Sequence, residues 1–405
     1  MNAAERRLIT YTAFAHALVH AIELTYPLLL TRIEEDFGLR AVILGAIGTV
    51  FAVAFGASAI PAGFLTDRLG SRRVLLYAFT GAAVSLVLVG VSPNEWFLAA
   101  TLALLGFCIG LYHPAGLSLM AQGVRQRGLA LGFHGVAGNL GQALAPALAV
   151  GLAIAVDWRL AFFVLAGAAA VMAVLLSVTR LPLRGEDEVL ISESEAPQRP
   201  DARRPRPARR LLLPLLVVYA AFVLSGIVYR GVITFLPQHL EELVDNDLGG
   251  VLVTVALVMA AAGQLVGGAL SQRVRLERLA PVLALFAVPA LVLTGVVSGA
   301  LLVVIASVFL FFYFANQPVF TGLIADYAPP GAVGRSYGVS FLAGFGLGGI
   351  GASIAGVLVD IWDTQAAFLG LAAFMAVTLL LSVVIWLMAE RRSRAMKPEV
   401  VGGDG

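Results

Sequence analysis

The sequence predicts an all-α integral membrane protein of twelve transmembrane helices in two pseudo-symmetric six-helix bundles, and three observations carry that expectation. Of the 405 residues, 60% are hydrophobic and 13% charged, against about 25% charged in soluble domains; the mean hydropathy is +0.92. Apolar runs of about 20 residues, long enough to cross a bilayer, recur twelve times. A charged turn between two such runs, at residues 63–73, returns half a chain later as Gly268-Ala269-Leu270-Ser271-Gln272-Arg273, with Glu277 and Arg278 where Arg72 and Arg73 stood. A loop repeated in two halves of a membrane chain marks a duplicated helical bundle, the architecture of secondary transporters.

In chain order the spans fall at 8–31, 41–65, 73–92, 96–120, 128–155, 158–181, 211–237, 247–272, 278–298, 300–325, 334–359 and 364–389. The first carries His16, His20 and Glu23 and lacks a cleavage site, so it reads as a retained helix and not a signal peptide. The weakest break is Ser298-Gly299-Ala300, where only small residues separate adjacent spans. Residues 183–210 are rich in Pro, Arg, Glu and Ser without periodicity, which reads as a flexible linker. The bundles are therefore expected at 1–182 and 211–392, followed by a tail at 393–405. Forty-three glycines suit helices whose backbones approach closely. Cys108 is the single cysteine, which excludes an intrachain disulfide.

Orientation follows from the basic residues. With the N-terminus inside, 23 of the 27 Lys and Arg lie on the inner side. The N-terminus, linker and C-terminus are thus expected to be cytoplasmic in a cell (inner or plasma) membrane. Outer loops hold Arg32, Arg40 and Arg159, and acids such as Glu241, Glu242, Asp245 and Asp247; His239 is expected to be solvated in the same outer loop. The halves align in several places. His113-Pro114 falls on Gln317-Pro318, Asp157-Trp158 near Asp360-Ile361-Trp362, Pro27 on Pro237, and His20 on Arg230.

An ionisable side chain at the centre of a span costs about 2.5–3.5 kcal/mol, so each one needs a reason. His16, His20 and Glu23 stand at i, i+4 and i+7, one stripe of a helix. The stripe serves either a proton or substrate site, for which imidazole and a tunable carboxylate are suited, or the packing of the first helix through buried hydrogen bonds. Arg230 is the only basic side chain within a span. It either binds an anion or pairs with Glu23, or it snorkels to the outer interface. Tyr112 and His113 precede Pro114; His134, Asn139 and Gln142 line one part of the fifth span; Tyr313, Asn316 and Gln317 occupy the matching place in the tenth. Each of these fits a ligand cavity or a helix–helix hydrogen bond.

The 63–73 loop, with Gly63, Asp67, Arg68, Gly70, Arg72 and Arg73, resembles the G-x-L-x-D-R-x-G-R-R signature of the major facilitator superfamily, with Ser71 in place of one basic residue. The resemblance covers essentially the whole chain. It implies that Asp67 and Arg68 help to latch the cytoplasmic side while the transporter faces out. Helix N-terminal amides favour such a carboxylate. Gly132, Gly141 and Ala145-Pro146 resemble the glycine-rich fifth-helix motif of antiporters, with Ala145 for its glycine and Ala149-Val150 for its closing pair. The intramembrane Arg of the drug–proton antiporters' fourth helix is missing; residues 110–116 and the His-bearing first helix are similar to the fosmidomycin-resistance branch.

The function expected is a secondary transporter of a small organic solute working by alternating access, as proton-coupled efflux. The alternatives are proton-symport uptake of an organic anion, favoured by Arg230, and a divalent-metal transporter using His16, His20 and Glu23. No Walker loop, nucleophile elbow or HExxH helix supports an enzyme. The partners expected are the solute, protons and lipid. No cofactor, resident metal or nucleic acid is expected, and the chain is expected to be monomeric.

Overall fold

Backbone amides in lipid must be satisfied within their own segment, which makes each apolar run a helix. The computed structural model describes residues 3–124, 127–179, 212–244, 249–329 and 333–395; the expected linker and nearly all of the C-terminal tail lie outside them. The first half comprises α1 (Ala3–Leu28), α2 (Leu30–Phe37), α3 (Ala41–Leu69), α4 (Ser71–Gly90), α5 (Glu95–Gly110), α6 (Tyr112–Gly123), α7 (Arg127–Ala155) and α8 (Trp158–Val178). The second comprises α9 (Leu212–Val244), α10 (Gly249–Arg273), α11 (Leu276–Thr294), α12 (Ala300–Tyr327), α13 (Val333–Phe341), α14 (Ile350–Ile361) and α15 (Thr364–Ala395). Eleven helical segments among the described residues are long and apolar enough to span, and the pair α1/α2, bent by 47°, makes a twelfth.

The breaks have local causes. Pro27 has no N–H for the carbonyl of Glu23, and α1 ends one residue later. The chain then bends into the short helix α2, which takes Arg32 out of the expected loop. Pro114 likewise leaves the Gly110 carbonyl without its helical donor, and α5 gives way to α6 at Leu111. Between α13 and α14 the helix widens to a π turn at Leu342–Gly346 and tightens to a 3-10 turn at Leu347–Gly349. Five glycines between 344 and 351 make both easy. The break at 298–300 is a real turn, with Gly299 at φ 64°.

The two bundles meet along α3 against α13–α14, α7 against α10, and α1 against α9. Gly56 allows the first contact: a Cβ there would collide with the Gly346 backbone. On the face bearing residues 40 and 360 the contact is closed by polar links. Asp360 accepts from Ala41 N–H at 2.9 Å and pairs with Arg40 at 3.1 Å. Thr49 donates to the Gly349 carbonyl at 2.9 Å and lies 2.7 Å from Ser353 Oγ. Toward the other face α3 meets α13 through the Phe55–Phe341 ring pair at 5.7 Å, and no hydrogen bond or ion pair joins these two helices among the described residues.

Two expectations need correcting here. His239, Glu241 and Glu242 lie in no loop, because α9 runs two turns past Pro237. Leu236, Leu240 and Leu243 continue a core-facing stripe at i, i+4 and i+7. His239 is fully buried, 2.8 Å from the Thr294 carbonyl and 2.9 Å from Thr364 Oγ1. The counterpart of Asp157 is Asp363, not Asp360. Asp157 and Asp363 each accept from an amide in the first turn of the helix that follows, at 2.8 and 2.7 Å, as N-caps do.

Candidate functional site

Glu23 is the hub of a polar chain that crosses between the bundles. Its Oε1 accepts from Arg230 Nη2 of α9 at 2.5 Å, and its Oε2 from His20 Nδ1 at 2.9 Å. Glu23 is 1% exposed and Arg230 3%, so Arg230 does not snorkel. A charge held this deep needs a partner, since removing one member of a buried pair costs about 3–5 kcal/mol. The guanidinium also lies over the rings of Tyr229, Phe345 and Phe55, at 5.5, 5.8 and 6.0 Å. Its Nε is buried with no partner among the described residues.

From His20 the chain continues inward along α1. His20 Nε2 lies 3.1 Å from His16 Nε2, and His16 Nδ1 lies 2.8 Å from the His134 carbonyl. The His134 ring stacks flat on His16, with centroids 3.8 Å apart and planes at 1°. Gly138, one turn along α7 from His134, leaves room for both α1 imidazoles; a Cβ there would press on His16. Tyr112 donates to the Thr12 carbonyl at 2.8 Å. His113, beside the α5/α6 break, packs between His16, His20, Phe55 and Phe341, with centroids 5.1–5.7 Å away. Gln142 places its amide 3.3 Å from His20 Nδ1.

Other candidates lie elsewhere. Asn139 is half-buried on α7, on a different face from His134 five residues before it. Asn316 donates to the Ala280 carbonyl at 3.1 Å, and Gln317 accepts from Gln264 at 2.9 Å. Both are hydrogen bonds between helices of the second bundle, away from the histidines. Tyr313 donates to the Ser225 carbonyl at 2.8 Å and stacks with Tyr229 at 6.0 Å, on the Arg230 side. Phe55, Phe341, Phe345 and Tyr229 complete the surroundings, and nothing in an apolar helix pattern had singled them out.

At the 63–73 loop, Asp67 and Arg68 are exposed, and neither touches a neighbouring helix N-terminus among the described residues. Arg72 instead donates to the carbonyls of Leu176 and Ser177 at 2.9 Å, binding the C-terminal end of α8. In the second half Arg278 performs the related tie to α15 through Glu390, at 2.6 Å. A separate groove of about 920 Å³ lies between α1, α7 and α8, lined by Phe14, Leu144, Leu148 and Val171 with Arg6 and Arg7 at one end. It is apolar, it runs along α1 as far as Ala21, and neither Glu23 nor a histidine is among its lining residues.

Residues 12–352 and 245–403 match the profile of the Major Facilitator Superfamily. A probable L-galactonate transporter of Escherichia coli is 25% identical over 58% of this chain, and the match spans only 54% of that relative's length. The fosmidomycin resistance protein of the same organism is 24% identical over 83% of this chain and 81% of its own. A bacterial homologue of the human lysosomal transporter Spinster, solved in an inward-facing, unoccupied conformation, superposes with a TM-score of 0.75 over 97% of this chain and 98% of that one. At 16% identity that likeness shows the fold alone.

Proposed function

The chain belongs to the Major Facilitator Superfamily, and we propose that it is a membrane transporter that carries a small organic anion together with a proton. The observation that supports this reading is the Glu23–Arg230 pair linked to His20. Glu23 can be neutralised by a proton, whereas Arg230 stays charged. Protonating Glu23 leaves a buried cation without its counter-ion, and an anionic solute is what replaces it. The unpartnered Nε offers a second donor to such a group. By linkage, a proton that favours the anion is itself favoured by the anion. That is symport. With the N-terminus cytoplasmic, an inward proton gradient drives uptake. An anion of the size of a sugar acid agrees with the name of the L-galactonate relative.

Proton-coupled efflux is the second reading, favoured by the partial glycine motif of α7 and by the likeness to the fosmidomycin resistance protein. Gly141 of that motif packs on the Ala17 backbone, next to His16 and about one turn from His20. In efflux, solute and proton compete. The purified protein in weak buffer separates the two: binding of a small carboxylate takes up protons in symport and releases them in competition. Proton release, or carboxylate affinity that falls as pH is lowered, contradicts the symport reading. Labelling fixes the orientation: Trp362→Cys reacts from outside and Arg73→Cys only after permeabilisation.

A further inference from the structure

We propose that His16, His20 and His113 form a binding site for one divalent transition-metal ion of the zinc class. Each ring offers a nitrogen, and the three nitrogens lie within 4.8 Å of one another. The hydrogen positions follow from the partners. His16 Nδ1 faces the His134 carbonyl, which only accepts, so that nitrogen carries a hydrogen. His20 Nδ1 faces Glu23 Oε2, an oxygen that accepts while Arg230 donates to the other one; this nitrogen carries a hydrogen too. Gln142 Nε2, 3.3 Å from the same nitrogen, is then a donor facing an N–H, a conflict that exchanging the amide's nitrogen and oxygen relieves.

Both Nε2 atoms are left with lone pairs, yet they stand 3.1 Å apart. Two lone pairs at that distance repel unless a cation lies between them, either a proton on one nitrogen or a metal ion bound by both. Zn–N bonds of about 2.0–2.1 Å in a tetrahedron set ligand nitrogens about 3.3 Å apart, so the pair is already spaced for an ion. His113 comes from α6 as the third ligand. Among the described residues it meets rings and no hydrogen-bond partner, which leaves its nitrogens available.

The groups behind the ligands are those a metal site needs. A carboxylate on His20 and a carbonyl on His16 fix the tautomers and raise ligand basicity. Three imidazoles prefer zinc, nickel, cobalt or copper over magnesium and calcium. Glu23 itself is occupied by Arg230 and His20, so the ligand set differs from the one the helix stripe alone had indicated. All three ligands sit in the first bundle, so the ion does not tie the bundles together. It displaces the proton shared by His16 and His20, with Glu23, Arg230, His134, Gln142 and Tyr112 around it.

The test reads metal binding and needs no transport, so it stands or falls apart from the symport reading. The full-length, tag-free protein in detergent is titrated with Zn²⁺ by calorimetry and with Co²⁺ by visible absorption. One ion per chain is expected, with tetrahedral cobalt bands and one proton released or fewer. Binding is expected to weaken roughly 10–100-fold in His20→Gln and His113→Gln, the scale of lost metal contacts, and to persist in Cys108→Ser. X-ray absorption of the zinc-loaded wild type, which requires no variant to fold, is expected to count three imidazoles. No binding at millimolar Zn²⁺, full binding in the His16→Gln/His20→Gln protein, or fewer than three imidazoles overturns the site.

Discussion

The two bundles share a scaffold and divide the chemistry. Helices α4, α5 and α8 begin 205 or 206 residues before α11, α12 and α15, and Arg72 and Arg278 make related ties at the same loop. The polar side chains differ. The first bundle holds four histidines and Glu23; the second holds Arg230, Tyr229 and Tyr313 around the same centre. His20 and Arg230, which the internal alignment superposes, both end on Glu23. The difference separates a group that can change its charge from one that cannot. In the symport proposed above, a proton arriving in one bundle would alter the contact between the two, which identical halves would not do.

The comparison breaks first at the ion pair. Glu23→Ala and Arg230→Ala are each expected to lower stability by about 3–5 kcal/mol by leaving a buried charge alone, read as a large loss in thermal unfolding of the detergent-solubilised protein. The Glu23→Gln/Arg230→Met double variant regains most of that stability and none of the transport. Singles that unfold like the wild type would mean the pair does not bridge the bundles.

The scaffold side is next. A Leu at Gly56 forces α3 off the Gly346 backbone, so spin labels at Ile43 and Ile361 on the closed face are expected to move apart. An unchanged distance would show that the crossing absorbs the side chain. Asp67→Asn and Arg68→Ala act at the opposite face. They are expected to slow transport while solute affinity holds, and Gln272→Ala in the second copy is expected to be milder; a loss of affinity would contradict the gating role. The smallest effect compares the tyrosines: Tyr112→Phe removes one hydrogen bond to a carbonyl, and Tyr313→Phe removes one to a carbonyl and one from Ser225 Oγ, each worth about 0.5–1.5 kcal/mol. Similar small drops in melting temperature are expected, and a much larger one in either protein would mark that hydroxyl as more than a helix clamp.

Much of the architecture was legible because spanning helices announce themselves by length and apolarity, and even the Ser298–Ala300 break lay where small residues placed it. The nearness of Glu23 to Arg230 was legible only as one of three readings, beside an anion site and snorkelling, because a lone Arg in a span shows that it needs an answer but not which one. The end of α9 was not. A hydropathy window stops at Pro237, while the stripe of Leu236, Leu240 and Leu243 carries the helix on and buries His239. Asn316 and Gln317 misled for a related reason: a polar residue in a span signals a hydrogen bond but not with which helix. Phe55, Phe341 and Phe345 gave no signal at all, since an aromatic in an apolar helix looks the same facing lipid or a guanidinium.

Transport by Glu23→Gln protein in proteoliposomes, with and without an imposed pH gradient, tests the central claim most directly. A neutral amide imitates the protonated acid. The variant is therefore expected to exchange a small carboxylate that the wild type accumulates, and to accumulate none of it when the gradient is applied. Undiminished gradient-driven accumulation would contradict the account and remove Glu23 from proton coupling.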